Sequence, residues 1–212
     1  MPLSADNANA QVNKIVLATS NHGKLIEIQQ VLSGSGLSLV SQSELGVRDA
    51  IEDGHTFIEN ALIKARHACA VTGLPALADD SGLIVDALGG APGLISAHFA
   101  GVHGDAAGNI RKVLAELEGV PQPERTARFY STIVLLRHAG DPQPLIAEGV
   151  WEGRILEAPS GNGGFGYDPI FFDPALGACA AELSPETKNR VSHRGRALAR
   201  LHERLREERI LP

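Results

Sequence analysis

The chain opens with a short apolar run that passes through a polar turn into a helical pattern. Residues 14–19 read Lys-Ile-Val-Leu-Ala-Thr, as a strand buried on both faces would, and Leu25, Ile28 and Leu32 recur at helical spacing. A strand, a loop and a helix in this order are typical of the crossover units that build parallel sheets. The 23 Gly and 12 Pro residues exclude a helical bundle, so the chain is predicted to be an α/β protein.

Later segments repeat both patterns and add a hairpin. The predicted elements are a strand at 37–40, a helix from a cap at Thr56 to a stop at Gly73, extended chain at 74–85, a helix at 109–118, two strands at 127–136 and 145–156, and helix starts at Ser184 and Ser192. The extended segment is expected to turn at Asp79-Asp80-Ser81-Gly82. Crossover units together with a hairpin predict an α/β fold with a mixed β-sheet.

Charge and composition exclude several classes of protein. With 19 Lys and Arg against 25 Asp and Glu, the net charge of −6 argues against a general nucleic-acid binder. Residues 1–11 lack a secretory signal, and no stretch approaches the roughly 18 apolar residues of a membrane span, so a cytoplasmic protein without a membrane partner is expected. Cys69 and Cys179 cannot form a disulfide framework and are predicted to be free, buried thiols.

The turn after the first strand could bind phosphate. It contains Thr19, Ser20, Asn21, His22, Gly23 and Lys24. Backbone N–H groups, hydroxyls and a lysine charge at a helix N-terminus suit an anion, although the segment is not a Walker loop. The alternative is an ordinary strand-to-helix turn with a solvated lysine.

Acidic residues form a second group. Glu52, Asp53 and Glu59 precede or open the second helix, and Asp79 and Asp80 are adjacent. Paired carboxylates opposite a phosphate loop suit Mg²⁺, and one of them could accept a proton from an attacking water. The alternative is that Asp79 and Asp80 simply form a turn.

A glycine-rich segment places two aromatic residues where little backbone covers them. It includes Phe165, Gly166, Tyr167 and Asp168, so that a flat base could stack on Phe165 while Asp168 accepts hydrogen bonds from it. The alternative is a flexible surface loop.

The basic residues Lys188, His193 and Arg194 lie near the last helix start, where cations oppose the helix dipole. Their position therefore favours an anionic or acceptor-rich ligand. The alternative is a solvated basic surface.

Taken together, these segments resemble the inosine/xanthosine triphosphate pyrophosphatase family. The resemblance runs in order from about residue 14 to residue 205. The motifs that carry it are Thr19-Ser20-Asn21-x-Gly23-Lys24, Glu52-x-Gly54-x-Thr56-Phe57-x-Glu59-Asn60-Ala61, Ala78-Asp79-Asp80-Ser81-Gly82-Leu83, Gly164-Phe165-Gly166-Tyr167-Asp168-Pro169 and Ser192-His193-Arg194. Five motifs in the family's order are far more specific than any one of them.

The resemblance implies a fold, a reaction and partners. The fold would be a two-lobed α/β domain over residues 14–209, with a long mixed β-sheet flanked by helices, and the protein would be a homodimer. Apart from the resemblance, the polar start at 1–13 is expected to be disordered. The reaction would be Mg²⁺-dependent hydrolysis of ITP, dITP or XTP to the monophosphate and pyrophosphate, which keeps deaminated purines out of DNA and RNA. The partner would be a small-molecule nucleotide.

The same resemblance assigns roles to individual residues. Thr19 to Lys24 would hold the triphosphate, and Asp80 would be the general base. The chemistry of pyrophosphate release adds a role for Lys24, whose charge could stabilise the departing oxygen. The nucleotide would be bound by Ser81, Phe165, Gly166, Tyr167, Asp168, Lys188, His193 and Arg194. The family often has two acidic residues before the Gly-x-Thr-Phe segment, and the first appears here as Ile51. Glu52 is therefore the preferred metal ligand, with Asp80 beside it and Asp79 in support.

Two other functions are compatible with these residues. A related pyrophosphatase with another base preference would keep the phosphate and metal residues and differ in the base pocket. A non-catalytic nucleotide sensor would bind without hydrolysis, although binding alone does not require Lys24, Glu52, Asp79 and Asp80 together.

Overall fold

The computed structural model of the chain describes residues 14–208. The polar start at 1–13 and position 209 of the predicted domain lie outside the described residues. The helices are α1 (His22–Val31), α2 (Phe57–Thr72), α3 (Ala106–Glu116), α4 (Pro185–Val191) and α5 (His193–Glu207). The strands are β1 (Lys14–Leu17), β2 (Ser38–Ser41), β3 (Ala76–Val85), β4 (Thr126–Leu136), β5 (Leu145–Ile155), β6 (Phe171–Asp173) and β7 (Ala178–Cys179).

These strands form a mixed sheet, as the sequence predicts. Their hydrogen-bonded order in the described chain is β2-β1-β3-β4-β5-β6-β7. Strand β1 pairs in parallel with β2 and with β3, whereas β5 pairs antiparallel with β6, and β6 with β7. Strands β4 and β5, the two predicted hairpin strands, are neighbours in the sheet. The α/β prediction is therefore confirmed.

The described chain divides into two compact units. Unit 1 comprises 14–80, 132–148 and 197–208, and unit 2 comprises Ser81–Ser131 and Gly149–Arg196. Strand β3 passes from the first unit to the second between Asp80 and Ser81.

The strands of unit 1 have helices on both faces. Successive residues of a strand point to opposite sides, so its apolar residues form two separate clusters. Ile15, Leu17 and Leu77 pack with α1 and with the part of α5 that belongs to this unit. Val16, Ala18, Ala76 and Ala78 pack with α2. Odd-numbered β3 residues of this unit therefore face α1, and even-numbered ones face α2.

The core of unit 2 is built around aromatic side chains. The Phe129 ring centroid lies 4.5 Å from that of Phe171, and the Trp151 centroid lies 4.9 Å from that of Phe171. The Trp151 indole donates a hydrogen bond to the Asp173 carboxylate at 2.8 Å, which satisfies the polar atom of this buried ring.

The helix boundaries follow from the capping residues. The Thr56 hydroxyl accepts a hydrogen bond from the Glu59 amide at the start of α2, and Gly73 ends α2 with a φ of 68°. In α5, the apolar residues Ala197, Leu198 and Leu201 are fully buried. Among the described residues, none of the helices is both long and apolar enough to cross a bilayer.

Both cysteines are free and buried, as predicted. Cys69 lies in unit 1, in the cluster between α2 and the sheet. Cys179 lies in unit 2, where its thiol donates to the Asp168 carbonyl at 3.1 Å. Burial raises the pKa of Cys69 to about 11, and it also raises the pKa of Cys179.

The connection between β4 and β5 depends on a buried carboxylate. Asp141 accepts hydrogen bonds from the Arg137 guanidinium at 2.8 Å, from the Arg137 amide and from the Gln143 amide. The Arg137 side chain holds the pKa of Asp141 far below its usual range.

We expect Asp141→Asn to lower the free energy of unfolding by about 2 kcal/mol at pH 7, because charge-assisted hydrogen bonds are lost. A lowered folded pKa stabilises the protein above the unfolded pKa of about 4, and the effect fades as the pH falls towards the folded value. Urea unfolding of both proteins at pH 7 and pH 3.5 should show the difference shrinking in acid. A constant difference would contradict the assignment to the ionised carboxylate.

Candidate functional site

The predicted phosphate loop in unit 1 is shaped by its own side chains. The Asn21 side chain caps α1 by accepting a hydrogen bond from the Lys24 amide at 3.1 Å, and the Thr19 hydroxyl accepts from the Asn21 amide at 3.2 Å. The Ser20 hydroxyl donates to the Asp49 carboxylate at 2.9 Å. His22 is the first residue of α1 and is exposed, with Gly23 following it in the first helical turn. This arrangement presents the N-terminus of a ten-residue helix, which favours anions.

The Lys24 side chain is held by a buried carboxylate on β3. Its ammonium nitrogen lies 2.8 Å from Asp79 Oδ2, and the Asp79 side chain has 0% of its surface exposed. Asp79 is an odd-numbered residue of β3 and therefore faces α1, which carries Lys24. The ion pair places the positive charge of Lys24 at the end of the predicted phosphate loop.

The predicted turn at residues 79–82 is wrong, because all four residues lie within β3. The two aspartates are tolerated inside a strand because each carboxylate forms an ion pair with a lysine. These two lysines lie on different helices. Neighbouring strand residues point in opposite directions, so Asp79 meets α1 while Asp80 meets α2.

Lys64 of α2 joins Asp80 to Glu52. Its ammonium nitrogen lies 2.9 Å from Asp80 Oδ1 and 2.8 Å from Glu52 Oε2. Sequence reasoning identified both carboxylates and missed this lysine. The signal available was helical spacing, because Lys64 lies four residues after the buried Asn60 and four residues before the buried Ala68.

Burial and charge act against each other at this cluster. Burial raises the pKa of the Asp80 carboxyl, against the opposing charges of Lys64 and Lys24. Burial alone would lower the pKa of Lys64, but Asp80 and Glu52 more than offset it, so that the pKa of Lys64 is raised and the ammonium stays protonated.

The segment that carries Glu52 is fastened to the start of α2. The Gly54 amide donates to the Asn60 side chain at 2.9 Å, and the His55 amide donates to the Glu59 carboxylate at 2.8 Å. A Cβ atom on Gly54 would lie 2.7 Å from Asn60 Oδ1, so a larger residue would push the segment away. The Gly-x-Thr-Phe-x-Glu-Asn motif thus fixes the chain two residues after Glu52.

Glu52 differs from both of its neighbours in the chain. Ile51 is 84% exposed, and Asp53 is exposed, whereas the carboxylate of Glu52 contacts Lys64. Within residues 14–208, no three His, Cys, Asp or Glu side chains gather into a ready metal cluster. Glu52 and Asp80 still fit Mg²⁺, because this ion is usually held by one or two carboxylates together with waters and substrate phosphates.

In unit 2, Asp168 organises the glycine-rich segment. Its Oδ2 atom accepts hydrogen bonds from the Phe165 amide at 2.8 Å and from the Lys188 ammonium at 2.5 Å. The Lys188 ammonium also lies 4.6 Å from the centre of the Phe165 ring. Gly164, with a φ of +70°, allows the close approach, since a Cβ atom there would lie 2.0 Å from Asp168 Oδ2. Phe165 itself remains 36% exposed.

Arg194 approaches the same ring. Its guanidinium carbon lies 5.9 Å from the centre of the Phe165 ring, and its Nη2 atom donates to the Ser81 hydroxyl at 2.9 Å. His193 is buried and stacks on Phe129, with ring centroids 4.8 Å apart. The structure therefore brings Ser81, Phe165, Asp168, Lys188 and Arg194 together, while the His193 ring packs on the aromatic core.

The expectation that both aromatic residues are exposed is wrong for Tyr167. Its side chain is buried in the core, and its hydroxyl donates to the Ser96 carbonyl at 2.8 Å. Burial strongly raises the pKa of this phenol. Tyr167 thus anchors the glycine-rich segment to the core of unit 2. Gly166, with a φ of 62°, makes the turn between the exposed Phe165 ring and the buried Tyr167 ring.

Comparisons with known proteins agree with the sequence motifs. The model of the Ham1 family matches residues 15–204. The chain is 62% identical over 192 residues to the dITP/XTP pyrophosphatase of Xylella fastidiosa, covering 91% of this chain and 96% of that protein. It is 52% identical to the dITP/XTP pyrophosphatase of Vibrio cholerae, covering 93% and 99%. A solved HAM1 protein from Coxiella burnetii superposes with a TM-score of 0.85 at 50% identity, covering 92% and 98%.

Proposed function

The chain belongs to the Ham1 family, and we propose that it hydrolyses the triphosphates of deaminated purine nucleosides, among them dITP, ITP and XTP, to the monophosphate and pyrophosphate. Removing such nucleotides keeps deaminated purines out of DNA and RNA. One pyrophosphatase domain over 14–209 would carry this activity, in keeping with the family match to residues 15–204.

The observation that carries the proposal is the pair of carboxylates on β3. Asp79 binds Lys24 of the phosphate loop, and Asp80 shares Lys64 with Glu52. A phosphate-binding cation and a carboxylate pair are thus fixed to consecutive residues of one strand. Phosphoryl transfer requires both, because charge must be balanced on the phosphates while a nucleophile is activated.

The side chains of unit 1 have complementary roles in the reaction. Water forms a bond to the α-phosphorus, the bond to the bridging oxygen breaks, and pyrophosphate leaves. Asp80 accepts the proton of the water, and Lys24 stabilises the negative charge on the departing oxygen. Asp79 keeps Lys24 in place through their 2.8 Å contact.

Magnesium is the cofactor that we propose for this reaction, with Glu52 and Asp80 as its ligands. When bound, it supplies a Lewis acid that lowers the pKa of water and neutralises phosphate charge. This help is needed because a carboxylate, with a reference pKa near 4, is a weak base for water. Asp79 would contribute mainly through Lys24, since its fully buried carboxylate already binds that ammonium.

The side chains of unit 2 are assigned to the base. Phe165 offers a partly exposed ring for stacking, and Lys188 and Arg194 place donors beside it. A 6-keto purine presents an acceptor where adenine presents an amino donor, so donors in this position favour the deaminated base. A donor facing a donor leaves buried groups unpaired, at about 1–3 kcal/mol for each group.

The direct test is pyrophosphate release from equal concentrations of ITP, dITP, XTP, GTP, ATP and CTP, with Mg²⁺ and with a chelator. Release that needs the metal and is confined to ITP, dITP and XTP is the expected result. Release from other nucleotides would indicate a related pyrophosphatase with another base preference. Binding of ITP without release would indicate a nucleotide sensor.

The Phe165→Leu variant is expected to raise KM for ITP about tenfold with little change in kcat, because base–aromatic stacking contributes about 1–3 kcal/mol. Steady-state kinetics with ITP measure both constants. Leu176→Ala is a suitable control, because Leu176 is an exposed apolar residue of the same unit. An unchanged KM would remove Phe165 from the base site.

We further propose a cytoplasmic location and, on the strength of the resemblance to the inosine/xanthosine triphosphate pyrophosphatases, a homodimer. Light scattering of the purified protein at several concentrations tests the oligomeric state, and a constant monomer mass would reject it.

A further inference from the structure

Lys64 forms two ion pairs at once within unit 1. Its ammonium nitrogen contacts one oxygen of Glu52 and one oxygen of Asp80, at 2.8 and 2.9 Å. Its side chain and that of Asp80 are each only 11% exposed, whereas that of Glu52 is 40% exposed. The lysine therefore occupies the space that joins the two carboxylates, and it is screened from solvent more than Glu52 is.

This contact has an electrostatic consequence for any other cation at the two carboxylates. An ion bound to both oxygens would lie close to the ammonium, and like charges repel strongly where water is largely excluded. The carboxylate oxygens that would attract a divalent cation are thus already in contact with the Lys64 ammonium.

We propose that Lys64 competes with the divalent cation for Glu52 and Asp80, so that the protein alone holds this ion weakly. The inference rests on the proposed function for its choice of Mg²⁺. A triphosphate offers new acceptors for the ammonium, so Lys64 can leave the carboxylates when substrate binds. Metal binding is then coupled to substrate binding through one side chain.

The test is calorimetric titration of Mg²⁺ into the nucleotide-free protein, its Lys64→Met variant and its Lys64→Arg variant. Methionine keeps most of the volume of lysine and removes the charge. We expect Mg²⁺ to bind Lys64→Met at least about tenfold more tightly, because repulsion by a nearby positive charge is removed. Lys64→Arg keeps the charge and should stay within about threefold of the parent.

A second measurement is thermal unfolding with a chelator and with Mg²⁺. Without Lys64 the two carboxylates lose their counter-charge, so in chelator the Tm of Lys64→Met should be lower than the Tm of the parent. Adding Mg²⁺ should raise the Tm of Lys64→Met by more than it raises the Tm of the parent. Lys112→Met is the matched control, since it removes one charge from unit 2, where Lys112 lies near Glu116. That control should bind Mg²⁺ as the parent does.

Equal or weaker Mg²⁺ binding by Lys64→Met would overturn the inference, and so would the absence of binding by every variant. If Lys64→Met fails to fold, Lys64→Gln answers the same question. These readouts involve no nucleotide. A parent protein that releases no pyrophosphate would therefore reject the proposed function and leave the competition to be decided by the titration.

Discussion

The Asp80→Asn variant is expected to release pyrophosphate from dITP about 10³-fold more slowly than the parent, because it lacks the proposed proton acceptor and one proposed metal ligand. Asparagine has nearly the same shape, so β3 should form unchanged. The kcat of the purified variant, measured with saturating Mg²⁺, gives the effect, and its circular dichroism spectrum shows whether the fold is kept.

Asp53→Asn is the matched control for this change. Asp53 is an exposed carboxylate next to Glu52, so its replacement removes one negative charge from the segment that carries Glu52 without touching the Lys64 contacts. We expect its kcat to stay within about twofold of the parent. Turnover of Asp80→Asn at more than a tenth of the parental rate would exclude Asp80 as the base.

The Lys24→Met variant is expected to lose both activity and stability. The kcat/KM for dITP should fall about 10²-fold, because the variant lacks the positive charge that we propose for phosphate binding. The free energy of unfolding should fall by about 3–5 kcal/mol, since the buried Asp79 carboxylate loses the lysine of its ion pair. Urea unfolding at pH 7 measures the second effect independently of the first.

A double variant separates these two losses. Lys24→Met with Asp79→Asn removes both charges of the pair, so most of the lost stability should return while kcat/KM remains low. If the double variant regained activity as well, Lys24 would act only through stability. A single variant as stable as the parent would show that Asp79 does not depend on Lys24.

Local sequence patterns predicted the elements whose signals are themselves local. The apolar run at β1 and the spacing of Leu25, Ile28 and Leu32 gave the first strand and helix, which the structure places at Lys14–Leu17 and His22–Val31. The sequence also predicted the two ends of α2, which begins after the cap at Thr56 and ends at Gly73. Capping and periodicity depend on residues only a few positions apart, so the sequence alone displays them.

The misses involve partners that are distant in sequence. Asp79 and Asp80 are typical turn residues in the sequence, and only the structure shows that lysines neutralise them. These lysines lie on two different helices, far from β3 in the sequence. Tyr167 resembles an exposed ring until Ser96, which lies 71 residues away, supplies an acceptor for its hydroxyl. A lysine in a helix is usually solvated, and only the tertiary structure shows that the Lys64 ammonium contacts Glu52 and Asp80.

The placement of the two thiols has a practical consequence. Cys69 belongs to unit 1 and Cys179 to unit 2, and both are buried. A thiol reagent reacts with the exposed thiolate, so both cysteines are protected for as long as the surrounding structure stays closed. The natural sequence therefore carries one chemical reporter of local opening in each unit. Mass spectrometry of pulse-labelled protein would show which unit opens first in denaturant, without any engineered label.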